Sequence, residues 1–124
     1  MIDHISVGVT DLDGASEFYT PIFLALRMSK LVEKPGAVGF GKKYPEFWLN
    51  HRPSLRSPDR DSGTHICLRA TSVEMVNELY WTAMEQGASS NGKPGFRPEY
   101  HEGYYGAFIK DADLNHIEAV TFVQ

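Results

Sequence analysis

Apolar and polar residues alternate over residues 2–10: Ile5, Val7 and Val9 fall on one side, and His4, Ser6 and Gly8 on the other. A period of two over this length predicts a half-buried strand. Asp11 and Asp13 then supply side-chain acceptors for the open N–H groups of a helix start. Ala15, Phe18, Tyr19 and Ile22 give that helix its apolar face. Pro21 lacks an N–H and crowds the preceding turn, which predicts a kink or the end of the regular helix there. Residues 31–50 read as short strands around Gly36, Gly39 and Gly41, the last of them over 46–50.

From Arg52 to Gly63 the composition shifts to Pro, Ser, Asp and Arg, the mark of a linker. The opening pattern then restarts. Residues 64–70 alternate again, with Ile66 and Leu68 opposed to His65 and Cys67. Thr71-Ser72-Val73-Glu74 reads as a capping box. Val73, Val76, Leu79, Tyr80 and Ala83 predict a helix buried along one stripe, with Gly87 at its C-terminal end. A Gly-, Pro- and Asn-rich loop is expected over 89–97. Two strands follow, 104–110 and 116–123, joined by Asp111-Ala112-Asp113-Leu114-Asn115.

The restart is an internal repeat. His4-Ile5 matches His65-Ile66 at an offset of 61, and Glu17 and Tyr19 match Glu78 and Tyr80 at the same offset. Glu46-Phe47 aligns with Glu118-Ala119 if the second half carries 11 extra residues, which the 89–97 loop is expected to absorb. Each half reads strand, helix, then two or three strands. A half of about sixty residues buries little core by itself, so one continuous sheet is expected.

The repeat turns two ordinary histidines into a pair. His4 and His65 stand at equivalent places, each on the face opposite the aliphatic residues, and are expected to converge. Glu118, on the last strand, supplies a carboxylate. Two imidazoles and a carboxylate form a facial triad that leaves positions open on a divalent ion; Zn, Mn, Fe(II) and Ni all use such ligands. Taken singly, each of these residues more often serves as a hydrogen-bonded core group or a solvated charge.

Composition narrows the classes of partner. The 124 residues suit one domain, residues 1–124, built of module 1 (1–57) and module 2 (62–124). A formal charge of −4 with no basic run longer than Lys42-Lys43 gives no footprint for nucleic acid. No stretch is long and apolar enough to span a bilayer, and the first residues show no basic n-region, so no signal peptide and a cytoplasmic location are expected. Cys67 is the only cysteine, so no internal disulfide forms.

The opening Ile2-Asp3-His4-Ile5-Ser6-Val7-Gly8-Val9-Thr10-Asp11-Leu12 with Glu17-Phe18-Tyr19, and the closing segment from Tyr105 to Val120, resemble the vicinal oxygen chelate superfamily. That group includes glyoxalase I, extradiol dioxygenases, fosfomycin-resistance transferases and bleomycin-resistance proteins. The resemblance covers the whole chain. It implies an α+β fold: two βαβββ modules forming a cupped mixed sheet with helices outside, and a homodimer. It also implies a divalent metal held by His4, His65 and Glu118. Glyoxalase I adds a carboxylate from the last strand of the first module, and the repeat alignment puts Glu46 there. Where family members carry Asp-Pro-Asp-Gly-Asn, this chain has Ala112 and Leu114. The missing Gly implies a strained or altered turn, since a left-handed backbone is unfavourable for Leu.

Further residues are candidates for the cup. His101 offers a general base or a substrate contact, and Tyr104 or Tyr105 a hydrogen bond to a developing oxyanion. Trp48 is placed to line the pocket, while Lys93 and Arg97 could hold a substrate carboxylate or phosphate, although solvated loop charges are the commoner case. Cys67 is expected to be an inert thiol. Together these readings give a metal-dependent enzyme acting on a small oxygen-bearing substrate, as a glyoxalase-like lyase or isomerase or as a dioxygenase. The alternative is a metal-free small-molecule binding protein of the bleomycin-resistance type.

Overall fold

The computed structural model describes residues 1–56 and 61–124. The chain divides into two compact units, Met1–Ser57 and Pro58–Gln124. The linker expected over 52–63 lies in part outside the described residues. Each unit is a βαβββ module, so the chain is an α+β protein with two helices and two four-stranded mixed sheets.

In the first unit β1 (Ile5–Val9) leads into α1 (Leu12–Leu24), followed by β2 (Ser29–Lys34), β3 (Ala37–Gly41) and β4 (Phe47–His51). The sheet order is β1-β4-β3-β2, with β1 parallel to β4 and the other pairs antiparallel. Asp11 caps α1 by accepting from Gly14 N at 3.0 Å. Pro21 does not end the helix, which runs on to Leu24. The ring forfeits only the one bond that an N–H there would make to Glu17 O, and so near the helix end a bend displaces few residues. Tyr19, Ile22 and Phe23 of the helix are buried on Phe40, Phe47 and Leu49 of the sheet. Ring centroids of Phe23 lie 5.2 Å from Phe40 and 4.8 Å from Phe47, edge to face, and this aromatic cluster is the unit's core.

The second unit repeats the order: β5 (Ile66–Arg69), α2 (Val73–Glu85), β6 (Ser89–Phe96), β7 (Tyr104–Lys110) and β8 (His116–Phe122), arranged β5-β8-β7-β6. The cap of α2 falls on Ser72, whose hydroxyl accepts from Met75 N at 3.2 Å. Thr71, expected to open the box, instead donates to Met75 Sδ. Gly87, at φ 94°, closes the helix with Ala88 N bonded to Ala83 O and Gly87 N to Met84 O. Val76, Leu79, Tyr80 and Ala83 are buried against the sheet side that carries Ala107, Ile109, Ile117 and Ala119.

The segment expected as a loop over 89–97 is in fact the edge strand β6. Its ladder with β7 slips between Ser90 and Gly92 and again between Gly92 and Gly95. An edge position tolerates the Gly and Pro residues that a central strand would reject, which is why composition pointed to a loop.

Strand register also corrects the repeat alignment. Ile5 pairs with Phe47 and Ile66 with Ile117, so Phe47 is the counterpart of Ile117. The first strands are offset by 61 residues and the last by 70, which makes the extra length nine residues rather than 11. Trp48 therefore occupies in the first unit the place that Glu118 takes in the second, and Glu46 corresponds to His116. Because Ser29 and Ser89 hold matching places on β2 and β6, the added residues lie along β6, β7 and the connection between them. The first unit crosses there with Pro35 and Gly36; the second uses residues 97–103.

Candidate functional site

His65 and Glu118 are brought together by the parallel pairing of β5 and β8. Cys67 lies directly across from Glu118 in the ladder, and His65 is two residues before Cys67 on the same face. His65 Nε2 sits 3.4 Å from Glu118 Oε1. The imidazole is half in solvent, whereas the Glu118 residue is only 2% exposed. A carboxylate that deep needs partners. It has Tyr104, whose hydroxyl donates to Oε2, and the Cys67 thiol beside it. Burial first, and then the hydrogen bond to Glu118, push the Tyr104 phenol above its usual range. Burial and the Glu118 charge push the Cys67 thiol up to about 12, even though much of the residue's surface remains in solvent. Cys67 is thus a neutral thiol at physiological pH, as its surroundings in sequence suggested.

His65, Tyr104 and Glu118 lie on the wall of a cavity of about 630 Å³ within the second unit. Arg97, Tyr100 and Phe108 line it as well, together with His116 and Asn91. Asn91 Nδ2 approaches His116 Nδ1 at 3.4 Å, and Asp61 Oδ1 lies 3.9 Å from that same nitrogen. Sequence reasoning missed His116, Asn91 and Phe108. His116 was legible in principle, because it is two residues before Glu118 on one strand and shares its face.

Neighbouring tyrosines part company here. Tyr104 faces the cavity, but Tyr105 points to the helix side of the sheet, where its hydroxyl bonds Asn77 Oδ1 of α2 at 2.6 Å. His101 packs edge-on against Phe122 at 5.7 Å and is not among the residues lining the cavity. The other candidates belong to the first unit. His4 is exposed, immediately before β1, and its Nδ1 is 2.7 Å from Asp3 Oδ1. Glu46 is half-buried just before β4, and Trp48 lies on β4 with Lys34 Nζ 5.3 Å above its ring.

For a divalent ion the second unit offers two donors. Two neighbouring ligands on one first-row ion, each bonded at about 2.1 Å, stand roughly 3.0–3.4 Å apart, which is the His65–Glu118 spacing. Gly63 O is 3.5 Å from His65 Nδ1, which leaves Nε2 as the nitrogen directed at Glu118. The Asp3 carboxylate on His4 Nδ1 is the same kind of arrangement, with Nε2 left for a ligand. Among the described residues no group of three or more His, Cys, Asp or Glu side chains is gathered as a complete metal cage. The residues present thus fit a metal as a pair in need of a third donor.

The family model of the Glyoxalase/Bleomycin resistance protein/Dioxygenase superfamily matches residues 1–119. The chain belongs to that superfamily. Among solved structures this superfamily member is similar to a glyoxalase/bleomycin resistance protein from Albidiferax ferrireducens T118, at 23% identity over 95% of both chains with a TM-score of 0.81. A glyoxalase/bleomycin resistance protein/dioxygenase family enzyme from Burkholderia phytofirmans PsJN matches at 16% identity over 98% of both chains, TM-score 0.75. A mutant of the fosfomycin resistance protein FosX from Listeria monocytogenes, complexed with Mn(II) and 1S,2S-dihydroxypropylphosphonic acid, matches at 17% identity. That match covers 99% of this chain and 90% of FosX, with a TM-score of 0.72. At these identities the likeness shows a shared fold. No curated protein matches the sequence. No helix among the described residues of this superfamily member is long and apolar enough to cross a membrane.

Proposed function

We propose that the chain is a metal-dependent enzyme acting on a small oxygen-bearing substrate bound in the second unit's cavity. The observation that carries this reading is the 3.4 Å approach of His65 Nε2 to Glu118 Oε1 on the cavity wall. His65 and Glu118 are two of the donors, and His4 is the third that the sequence offers. FosX, of the same fold, is complexed with Mn(II), which makes Mn(II) the first ion to test; Zn, Ni and Fe(II) suit the same donors. When bound, the ion would act as a Lewis acid on adjacent substrate oxygens.

The chain's own residues have separable tasks. Tyr104 holds Glu118 by one oxygen, fixing the carboxylate and leaving Oε1 directed at His65. Tyr100 and Phe108 give the cavity apolar surface to exclude water around a substrate. Trp48 at the counterpart of Glu118 favours a three-donor centre over the four-donor glyoxalase I pattern, since an indole carries no oxygen ligand. A dimer in a cytoplasmic setting fits this reading.

Metal content decides it. Protein prepared without chelators and incubated separately with Mn(II), Zn(II), Ni(II) and Fe(II) is expected to retain about one equivalent of at least one ion. His65→Ala, Glu118→Ala and His4→Ala are each expected to lose most of that ion. If the native chain retains none of the four, the metalloenzyme reading fails, and the cavity is that of a metal-free binding protein.

A further inference from the structure

One cation in the cavity wall has no acid among the described residues to answer it. Arg97 follows directly on β6 and is half-buried. Its Nη2 donates to Lys93 O at 2.6 Å and its Nη1 to Phe96 O at 3.3 Å. The guanidinium carbon lies 5.4 Å from the centre of the Phe108 ring. No carboxylate among the described residues pairs with it, and at least three of its five N–H donors are left over.

The backbone around the guanidinium is shaped to admit it. A Cβ on Gly95 would stand 3.0 Å from Nη1, and a Cβ on Gly92 3.3 Å from Nη2 and 3.0 Å from the Phe108 ring. Two glycines of the edge strand thus leave the room in which the cation lies. An arginine fixed by carbonyls and a ring has already given up much of its rotamer freedom, so a ligand that meets it loses little more. A solvated surface arginine needs no such cradle.

We propose that Arg97, cradled by Gly92 and Gly95 over Phe108, anchors the anionic group of a small organic substrate, a carboxylate or a phosphonate, whose remaining oxygens face His65 and Glu118. The planar fork of the guanidinium matches two oxygens of either group. Tyr100 and Phe108 beside it suit a short apolar body between the two polar ends. This names the substrate class for the cavity and rests on the reading of that cavity as a substrate site, but not on the metal.

Calorimetric titration of the full chain tests it with three probes of one shape: 3-phenylpropionate, 2-phenylethylphosphonate and the neutral 3-phenylpropionamide. In the native protein at least one anion is expected to bind about tenfold or more tightly than the amide. The tighter anion tells carboxylate from phosphonate. Arg97→Gln is expected to bring the probes within about twofold of one another. Gly95→Ala keeps the charge but displaces the guanidinium, and it is expected to lose about three- to tenfold in anion affinity with the fold intact by circular dichroism. Equal affinity of amide and anions for the native chain overturns the proposal, as does an anion preference that survives Arg97→Gln. A native chain that prefers the anions yet retains none of the four ions supports the anchor and removes only the metal reading.

Discussion

Tyr104 and Glu118 form one unit: the phenol donates to Oε2, while the other carboxylate oxygen faces His65 Nε2 at 3.4 Å. Tyr104→Phe therefore leaves Oε2 buried with the Cys67 thiol as its nearest donor. A loss of about 1–3 kcal/mol of stability is expected in urea unfolding. Because the hydroxyl also orients a ligand, Mn(II) affinity is expected to fall about 10- to 100-fold. Native values of both quantities in the variant would show that the phenol does not hold the carboxylate.

The thiol of Cys67, pushed up to about 12, has a testable reactivity. Alkylation by iodoacetamide at pH 8 is expected to run at least about a hundredfold slower than for free cysteine, whose pKa is about 8.5. Glu118→Gln removes the charge that opposes the thiolate and is expected to quicken the reaction. Mass spectrometry of timed samples reads both rates.

The same two groups set the alkaline limit of the fold. The phenol and the thiol keep their protons in the folded chain at pH values where the unfolded chain has released them. The folded state then holds more protons than the unfolded one, so stability falls as pH rises from about 9 towards 12. Urea midpoints taken across that range are expected to decline, and Cys67→Ala is expected to flatten the decline. A slope unchanged in Cys67→Ala would remove the thiol from this account.

Leu114 adopts φ 64°, the left-handed conformation that the missing glycine of the last turn implied. Asp111 holds the turn, its Oδ1 accepting from Asp113 N and Asn115 N at 2.9 Å and its Oδ2 from Asn115 Nδ2 at 2.9 Å. The left-handed backbone costs a leucine roughly 1–2 kcal/mol, part of which glycine returns through its greater unfolded-state freedom. Leu114→Gly is expected to stabilise the chain by about 0.5–1 kcal/mol, read as a rise of roughly 2–6 °C in Tm. A lower Tm would show that the leucine's packing outweighs the strain.

At Gly103 the opposite holds. Its φ is 78°, and a Cβ would stand 2.0 Å from Val123 O, a backbone atom with little room to move. Gly103→Ala is expected to destabilise by about 2 kcal/mol or more in urea unfolding. It is also expected to disturb Tyr104, the next residue in the chain. A variant with native stability would mean that the turn can open without cost.

Much of this was legible in the chain because it rests on local rules. Alternation located β1 and β5, the turn over 111–115 separated β7 from β8, and helical spacing with side-chain caps located α1 and α2. The pairing of His65 with Glu118 needed only the repeat and the strand faces. What was lost depended on register. The counterpart of Glu118 is Trp48 rather than Glu46, because an insertion of nine residues rather than 11 shifts every face by an even step, so alternation alone could not detect the error. Composition hid β6, since an edge strand follows looser rules than a central one. The opposite roles of Tyr104 and Tyr105 follow from the face each takes on β7, and sequence offered no means of ranking them before the cavity was seen.

The placement of β8 between β5 and β7, with Arg97 beyond the outer end of the sheet, bears on how such a chain can evolve. Glu118 is fixed by ladders on both sides, opposite Cys67 and Phe108, so a change in its neighbourhood is felt by three strands at once. Residues 98–102, in the connection from the edge strand to its neighbour, are all exposed and lie outside both ladders. Mutation can therefore explore new ligands in that connection while the carboxylate stays where it is, a division that lets one ancestral scaffold diversify in what it recognises without rebuilding what holds it together.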